Sequence, residues 1–498
     1  MLRKIRITAA IFCFTLISLL FLDFTGTLHG WFGWLAKIQF IPALLAVNIA
    51  IVAALLLLTW IFGRVYCSVI CPLGIFQDII SWASKKRKKY RFSYSPAIKW
   101  LRYTFLAIFC IALVAGISFV VSLLDPYSAY GRIVSNLFAP IYQGANNLLA
   151  YFSEKINSYA FYSIDVWLKG LSTFIVAIIS LIALFILAWR NGRTYCNTIC
   201  PVGTVLGFVS RFSIFKPRFD TQNCTNCGLC ERSCKASCIN SREQTIDYSR
   251  CVSCMDCVDI CRKKSLRYLP NFKLKENVKP INEEVKENIT DNSRRQFLTL
   301  TATLAAASAL KAQTNKVDGG LAFIEDKKIP NRATDLTPPG SSGMRNFNQH
   351  CTACQLCVSV CPNQVLRPSN NIERFMQPKM SYERGYCRPE CTKCSEVCPT
   401  GAIKSIDAAE KSSIQIGQAV FIKENCVVNT DGVSCGNCAR HCPTGAIHMI
   451  PKDESADALA TPVIETQRCI GCGACEYLCP ARPFSAIYVE GNQKHHLV

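Results

Sequence analysis

Apolar positions are not spread evenly along this chain. Residues 7–24, 40–62, 103–124 and 171–189 are nearly uninterrupted apolar runs of 18, 23, 22 and 19 residues, close to the roughly 20 residues a helix needs to cross about 30 Å of hydrocarbon. The pattern predicts four transmembrane helices. The polar segments between them differ in charge: Arg3, Lys4 and Arg6 precede the first run, 63–102 carries nine Lys or Arg including KKRKKYR at 85–91, and 125–170 carries only Arg132, Lys155 and Lys169. Positive charge collects on the cytoplasmic side of membrane helices, so both ends of the predicted bundle face the cytoplasm.

Composition agrees. Of 498 residues half are hydrophobic and the formal net charge is +21; the length suits about three to five structural units. So large a positive charge suits nucleic-acid binding in a soluble protein, but here it sits in loops beside apolar runs and no soluble basic domain interleaved with aromatics accompanies it. The reading is membrane topology and a lipid-facing cluster, with no nucleic acid. The 31 cysteines are too many, in too long a chain, for a small disulfide scaffold, and point to metal ligation.

Two segments repeat. Gly63-Arg64-Val65-Tyr66-Cys67-Ser68-Val69-Ile70-Cys71-Pro72-Leu73-Gly74 matches Gly192-Arg193-Thr194-Tyr195-Cys196-Asn197-Thr198-Ile199-Cys200-Pro201-Val202-Gly203 at eight of twelve positions. Each follows an apolar run, so the bundle reads as two parallel helix pairs, each ending in C-x3-C-P. Residues four apart share a helix face, which puts two thiols side by side, and the Pro then turns the chain away. Three readings of Cys67, Cys71, Cys196 and Cys200 stay open: shaping the fold, a redox thiol site beside a quinone, or ligands of an extra metal centre on the repeat axis. Cys13 and Cys110 stand alone in apolar runs and read as inert packing.

Six cysteine quartets carry the chemistry. Cys224, Cys227, Cys230 and Cys234 form C-x2-C-x2-C-x3-C, and Cys251, Cys254, Cys257 and Cys261 repeat it. Two-cluster ferredoxins use this spacing: three thiolates of a tight turn hold one 4Fe-4S cube and the fourth reaches across to the other. One cluster is therefore expected on Cys224, Cys227, Cys230 and Cys261, and the other on Cys251, Cys254, Cys257 and Cys234. Zinc ribbons pair two C-x2-C hooks instead of running four cysteines together twice. The usual Pro after the fourth cysteine is replaced by Lys235 and Arg262, whose charge favours a reduced cluster; Cys238 is a spare.

Towards the C-terminus, Cys351, Cys354, Cys357 and Cys361 and Cys469, Cys472, Cys475 and Cys479 keep the standard spacing. Cys387, Cys391, Cys394 and Cys398 run C-x3-C-x2-C-x3-C, and Cys426, Cys435, Cys438 and Cys442 run C-x8-C-x2-C-x3-C; Pro follows all four quartets at 362, 399, 443 and 480. Four more clusters are expected, making six, with the first quartet exchanging its fourth ligand with the last and the inner two with each other. Between the two cysteine-rich parts, a charged linker precedes Ser293-Arg294-Arg295-Gln296-Phe297-Leu298 and a mild Ala/Leu/Thr stretch to Leu310. That is the pattern of a twin-arginine signal, a route that carries folded cargo, and Ala307-Ser308-Ala309 resembles a signal-peptidase site. The expected division is a four-helix membrane domain at 1–215, a two-cluster ferredoxin domain at 216–270, a linker with an internal twin-arginine signal or fifth helix at 271–315, and a four-cluster domain at 316–498. The fold class is an α-helical membrane bundle plus α+β ferredoxin-like domains.

With these motifs, residues 1 to about 285 resemble NapH, the membrane polyferredoxin of a quinol dehydrogenase, and residues from about 290 resemble NapG, its exported four-cluster partner. The wider group includes NosR-like and CcoG-like proteins and the MauM/MauN pair. The resemblance implies a bacterial inner-membrane protein, with 216–270 cytoplasmic and 316–498 periplasmic, that takes electrons from the quinone pool and passes them to a periplasmic reductase or cytochrome. The fusion and the residues at 235 and 262 depart from the pattern. No C-x-x-C-H occurs, so no c-type haem is attached; histidines for a bis-His haem in the bilayer are lacking; no Gly-rich nucleotide fingerprint follows a strand. Quinol is expected near His29-Gly30-Trp31-Phe32-Gly33-Trp34, which also reads as an interfacial aromatic belt. The alternative function is a redox maturation factor for a periplasmic or membrane oxidoreductase, as the CcoG-like resemblance suggests.

Overall fold

The computed structural model describes residues 2–23, 25–87, 92–157, 160–270, 326–452 and 459–498. The twin-arginine motif, the Ala307–Ala309 site and most of the linker lie outside the described residues.

Two of the four apolar runs form single helices, Leu2–Leu22 and Leu171–Asn191, of 21 residues each with mean hydropathy 2.3 and 2.8. Among the described residues these two are long and apolar enough to cross a membrane. The other two runs are broken by backbone chemistry that hydropathy does not register. Run 40–62 divides into Phe40–Leu45 and Ile49–Phe62, because Val47 takes a left-handed φ of 54° and Asn48 starts the second helix by accepting the Ile51 N–H at 3.2 Å. Run 103–124 divides at Gly116, whose φ of 72° ends helix Lys99–Ala115 before Ser118–Leu124 begins.

The chain then doubles back. Asp125 accepts the N–H groups of Tyr127 and Ser128 at 3.2 and 3.1 Å and starts helix Pro126–Ile133, every residue of which is buried. Arg132 in that helix donates to the Ser122 hydroxyl and carbonyl at 2.8 and 2.9 Å. Tyr130 packs between Phe14, Phe21 and Phe76, with ring centroids 5.5 to 6.4 Å apart. A single π-turn, Val134–Phe138, leads into helix Ala139–Lys155.

The bundle is apolar outside. Only 22% of the apolar window of each long helix is buried, while Ile49, Val114 and Ile179 present 74%, 89% and 61% of their surface outward. Cys110 belongs to this outer face: it is exposed, so it does not pack inside as expected, whereas Cys13 is half-buried.

The cysteine-rich parts are small α+β units on two-stranded antiparallel sheets. Strand Phe215–Phe219 pairs with Leu266–Pro270 and closes the 216–270 unit around helices Leu229–Ser233 and Asp256–Ile260. In the C-terminal part, Ile414–Phe421 pairs with the last strand, Ile487–Leu497, across a register shift between Gly491 and His496. The two parts grip opposite ends of helix Leu2–Leu22. Arg3, at its start, pairs with Asp256 and Asp259 of the 216–270 unit at 2.9 and 3.1 Å. Thr25, just past its end, accepts Lys393 Nζ of the C-terminal part at 2.8 Å. A helix of 21 residues is about 30 Å long.

Candidate functional site

The four standard-spacing quartets are built by one backbone device. The residues just before and after the second cysteine, Asn226 and Gly228, Ser253 and Met255, Ala353 and Gln355, and Gly471 and Gly473, all take φ between 48° and 79°. Alternating left-handed residues turn successive N–H groups towards one concavity, which favours anions. Holding non-glycine residues there costs of order 1–3 kcal/mol each and persists only where the surroundings demand it. The two quartets with lengthened first loops do without the device: Thr392 and Gly436 have φ of −109° and −157°. In the first of them a buried lysine takes over, Lys411 Nζ donating to the carbonyls of Arg388 and Cys391 at 2.5 Å each.

The sulfurs meet across quartets. Cys224, Cys227, Cys230 and Cys261 line one cavity of about 210 Å³, and Cys251, Cys254, Cys257 and Cys234 line another, which is the crossed arrangement the spacing implied. Cys238 is no spare. It lines the second cavity with its Sγ 3.6 Å from that of Cys234, at the place where Ala402 and Ala446 stand four residues after Cys398 and Cys442.

In the C-terminal part the expected exchange is corrected. Cys361 joins Cys387, Cys391 and Cys394 around one cavity, and Cys398 faces Cys351, Cys354 and Cys357. Likewise Cys442 faces Cys469, Cys472 and Cys475, while Cys479 faces Cys438, next to Cys435. Neighbours in sequence exchange, because each pair closes its own small α+β unit. The two units then join where Cys387 N–H donates to Cys472 O at 2.9 Å and the Tyr382 hydroxyl donates to Gly471 O at 2.6 Å.

These sites suit iron–sulfur clusters. Fourth-position sulfurs accept backbone N–H groups: Val365 to Cys361 at 3.3 Å, Ala446 to Cys442 at 3.2 Å, Ala486 to Cys479 at 3.3 Å. Burial pushes the Cys230 and Cys438 thiols up to about 11 and those of Cys254, Cys354 and Cys472 up to about 12. A bare thiolate is costly there, and iron bound at the quartet would take the place of the proton.

Lys235, in place of the usual proline, docks the 216–270 unit on the bundle. Its carbonyl accepts the Arg193 N–H at 2.8 Å, and its ammonium meets Asp78 at 2.7 Å and Asp256 at 3.4 Å. Burial works against that ammonium, but the two carboxylates and the neighbouring Cys254 hold it above its ordinary value. Asp78 also receives Arg193 at 2.7 Å and Arg6 at 3.1 Å. Sequence reading gave Asp78 no role; one carboxylate among many surface charges leaves no periodic mark.

The two C-x3-C-P segments do not form one helix face each. Cys67 and Cys196 lie in short helices, Val65–Val69 and Thr194–Thr198, whereas Cys71 and Cys200 sit at the break before helices Pro72–Arg87 and Pro201–Ser210. Pro72 and Pro201 begin those helices instead of turning the chain away, because a first-turn N–H has no helical partner to lose. All four thiols are buried. Cys71 lies within electrostatic range of Cys67 and Cys196, and Cys200 within range of the other three. The hooks also abut the 216–270 unit: Gly63 and Gly192, with φ of 72° and 69°, come so close to Ser253 and Lys235 that a Cβ would sit 2.6 Å from Ser253 Oγ and 2.4 Å from Lys235 O.

His29, in the aromatic stretch expected to receive quinol, points inward to Asp23 at 3.3 Å, while Trp31 and Trp34 are exposed. On the same side, Tyr127 lies within electrostatic range of Cys354, and Gly131 packs so tightly that a Cβ would meet Cys354 O at 2.6 Å.

Comparison with known proteins agrees with this architecture. Residues 44–90 and 173–220 match the 4Fe-4S binding domain family, and 350–429 and 432–482 match the 4Fe-4S dicluster domain family. The chain is 39% identical over 89 residues to an uncharacterized protein of Methanocaldococcus jannaschii, a stretch covering 18% of this chain and 35% of that protein. It is 24% identical over 263 residues to the putative electron transport protein YccM of Escherichia coli, covering 50% of this chain and 64% of YccM. It is 30% identical over 165 residues to the methylamine utilization ferredoxin-type protein MauM of Methylobacillus flagellatus, covering 32% of this chain and 70% of MauM. No solved structure matches. The chain is an iron–sulfur electron-transfer protein that belongs, with MauM, to the ferredoxin-type proteins.

Proposed function

We propose that the chain is a membrane-bound electron carrier of the fused NapH/NapG kind, passing electrons from quinol to a periplasmic reductase or cytochrome. The observation that carries this reading is the placement of two cysteine-rich parts at opposite ends of one helical bundle whose outer face is apolar. Exposed aliphatic surface on this scale is unfavourable in water and favourable in lipid. The long helices Leu2–Leu22 and Leu171–Asn191 span the bilayer, and the broken runs 40–62 and 103–124 complete a four-segment bundle around helix Pro126–Ile133. Six 4Fe-4S clusters are held on Cys224, Cys227, Cys230 and Cys261; Cys234, Cys251, Cys254 and Cys257; Cys351, Cys354, Cys357 and Cys398; Cys361, Cys387, Cys391 and Cys394; Cys442, Cys469, Cys472 and Cys475; and Cys426, Cys435, Cys438 and Cys479. Such clusters supply one-electron chemistry, with potentials tuned by hydrogen bonds to sulfur and by burial.

The residues do the rest. Gly131, close under Cys354 O, and Asn136, donating to Gln355 Oε1 at 2.8 Å, seat the Cys351–Cys357 turn against the bundle, and the Cys387–Cys472 contact joins the two C-terminal units. The Asp23–His29 pair lies at the same end of the bundle, beside Lys393 and Glu396 of the C-terminal part. Segment 271–315 carries the C-terminal part across the membrane by the twin-arginine route. The test is membranes containing the protein, a reduced menaquinol or ubiquinol analogue and a periplasmic acceptor. Clusters reduced by quinol and reoxidised by the acceptor, followed by electron paramagnetic resonance, support the reading. Clusters that stay oxidised with every quinol analogue overturn it.

A further inference from the structure

Two matched segments, 44–90 and 173–220, each contribute only two cysteines, half a ligand set. The structure brings the two halves together. The repeats lock together by exchanging arginines. Arg64 of the first donates to Cys196 O of the second at 3.2 Å, and Arg193 of the second donates to Cys67 O of the first at 2.6 Å. The glycines are matched in the same sense: a Cβ on Gly74 would meet Cys67 O and Arg193, and one on Gly203 would meet Cys196 O and Arg64. Both arginines are fully buried.

The chemistry of the enclosure is that of an anion with sulfur at its surface. Donors point at the sulfurs: Gln77 Nε2 to Cys196 at 3.3 Å, Gly203 N–H to Cys200 at 3.4 Å and Arg64 Nη2 to Cys67 at 3.7 Å. Arg193 is balanced by Asp78, but Arg64 binds only neutral oxygens, Asn197 Oδ1 at 2.8 Å, Ser249 O at 3.2 Å and Cys196 O, besides the Cys67 sulfur. Arg64 Nε and Arg193 Nη2 have no hydrogen-bond partner among the described residues. Arg64 has no carboxylate partner, and the anionic sulfur in its electrostatic range is that of Cys196 and of Cys251 in the neighbouring quartet; a buried guanidinium needs such charge, and a disulfide at the hooks would supply none.

We infer that Cys67, Cys71, Cys196 and Cys200 together hold one further iron–sulfur cluster, on the axis between the two repeats, with Arg64 and Arg193 as positioning residues that offset its negative charge. The site lies between the two ferredoxin parts. Lys235 joins it to Cys254 on one side, and on the other Tyr195 reaches Leu124 O at 3.4 Å and the Asp125 region. The inference deepens the electron-carrier reading, and its test separates the two because iron content does not depend on quinol.

The experiment compares iron per chain and reduced electron paramagnetic resonance spectra of full-length, detergent-solubilised protein with those of Cys67→Ser/Cys196→Ser. Loss of about two to four irons and of one reduced signal, with the roughly 24 irons of six cubes retained, is expected. Retention of the cubes is also the control for folding. Arg64→Gln, which keeps all thiols, is expected to keep the iron and shift the midpoint potential of that signal downward. Unchanged iron in the double variant, one equivalent of zinc in the wild type, or Cys67–Cys71 and Cys196–Cys200 disulfides in the wild type found by alkylation mapping would each overturn the inference.

Discussion

The two cysteine-rich parts hold the helical bundle by different physics. The 216–270 unit is charge-locked: Lys235, Arg193 and Arg6 converge on Asp78, and Arg3 bridges to Asp256 and Asp259. The C-terminal part is fitted mainly by shape and neutral bonds. Gly131 lies under Cys354 O, Phe119 meets Phe375 edge-on at 5.4 Å, and Asn136 donates to Gln355 Oε1 at 2.8 Å. A buried ionic lock fixes a unit in one orientation but carries a large desolvation cost. It suits a unit that folds directly onto the bundle from the same chain. A neutral, close-packed seat requires no buried ions to find their partners, and would suit the folded arrival of the C-terminal part that the twin-arginine proposal entails.

The largest break of this contrast is expected from Asp78→Asn. It leaves three cations around a neutral amide, and removing one partner of a buried ionic set costs about 3–5 kcal/mol; thermal unfolding and limited proteolysis should show the 216–270 unit loosening while the C-terminal part stays protected. Gly131→Val should do the opposite. Its Cβ cannot avoid Cys354 O or the Phe21 ring, an overpacking cost of about 1–3 kcal/mol, read as protease sensitivity at the C-terminal junction with the 216–270 unit unaffected. Asn136→Ala leaves the buried Gln355 without its donor and should cost about 1–2 kcal/mol. That loss should change little between low and high salt, whereas the Arg3→Ala effect, at a partly exposed pair, should shrink as salt rises.

The smallest effect concerns pH. Burial pushes the His495 imidazole down to about 4, from an ordinary value near 6.5. A depressed histidine folds neutral, so its contribution is complete above about pH 6.5 and is lost as pH falls towards 4. His495→Asn, which keeps a polar partner for the Thr337 hydroxyl 3.0 Å away, should flatten that part of the stability profile. Identical acid profiles for the two proteins would refute the assignment.

Much of the site was legible because cluster ligation is written in local spacing. The crossing of Cys234 and Cys261 follows from two adjacent C-x2-C-x2-C-x3-C runs. The crossing in the C-terminal part was misjudged because lengthened first loops hide which quartets share a sheet, and pairing is a tertiary property. The apolar runs announced a bundle but not its breaks at Val47 and Gly116, since hydropathy counts side chains and these are backbone events. Arg64 and Arg193 were visible as repeated residues, yet the reciprocal contact between repeats could not be read from either copy. Lys235 looked like a departure from a ferredoxin pattern until its partners on the bundle were seen.

The central claim is that one polypeptide sets cysteine clusters on two faces of a membrane. It is tested most directly by placing single reporter cysteines at the exposed sites Arg262 and Ile372 (Arg262→Cys and Ile372→Cys) and treating spheroplasts with a membrane-impermeant maleimide before and after lysis. Labelling of Ile372→Cys in intact spheroplasts, with Arg262→Cys labelled only after lysis, is the predicted result. Equal labelling of both in intact spheroplasts, or of neither until lysis, would contradict it.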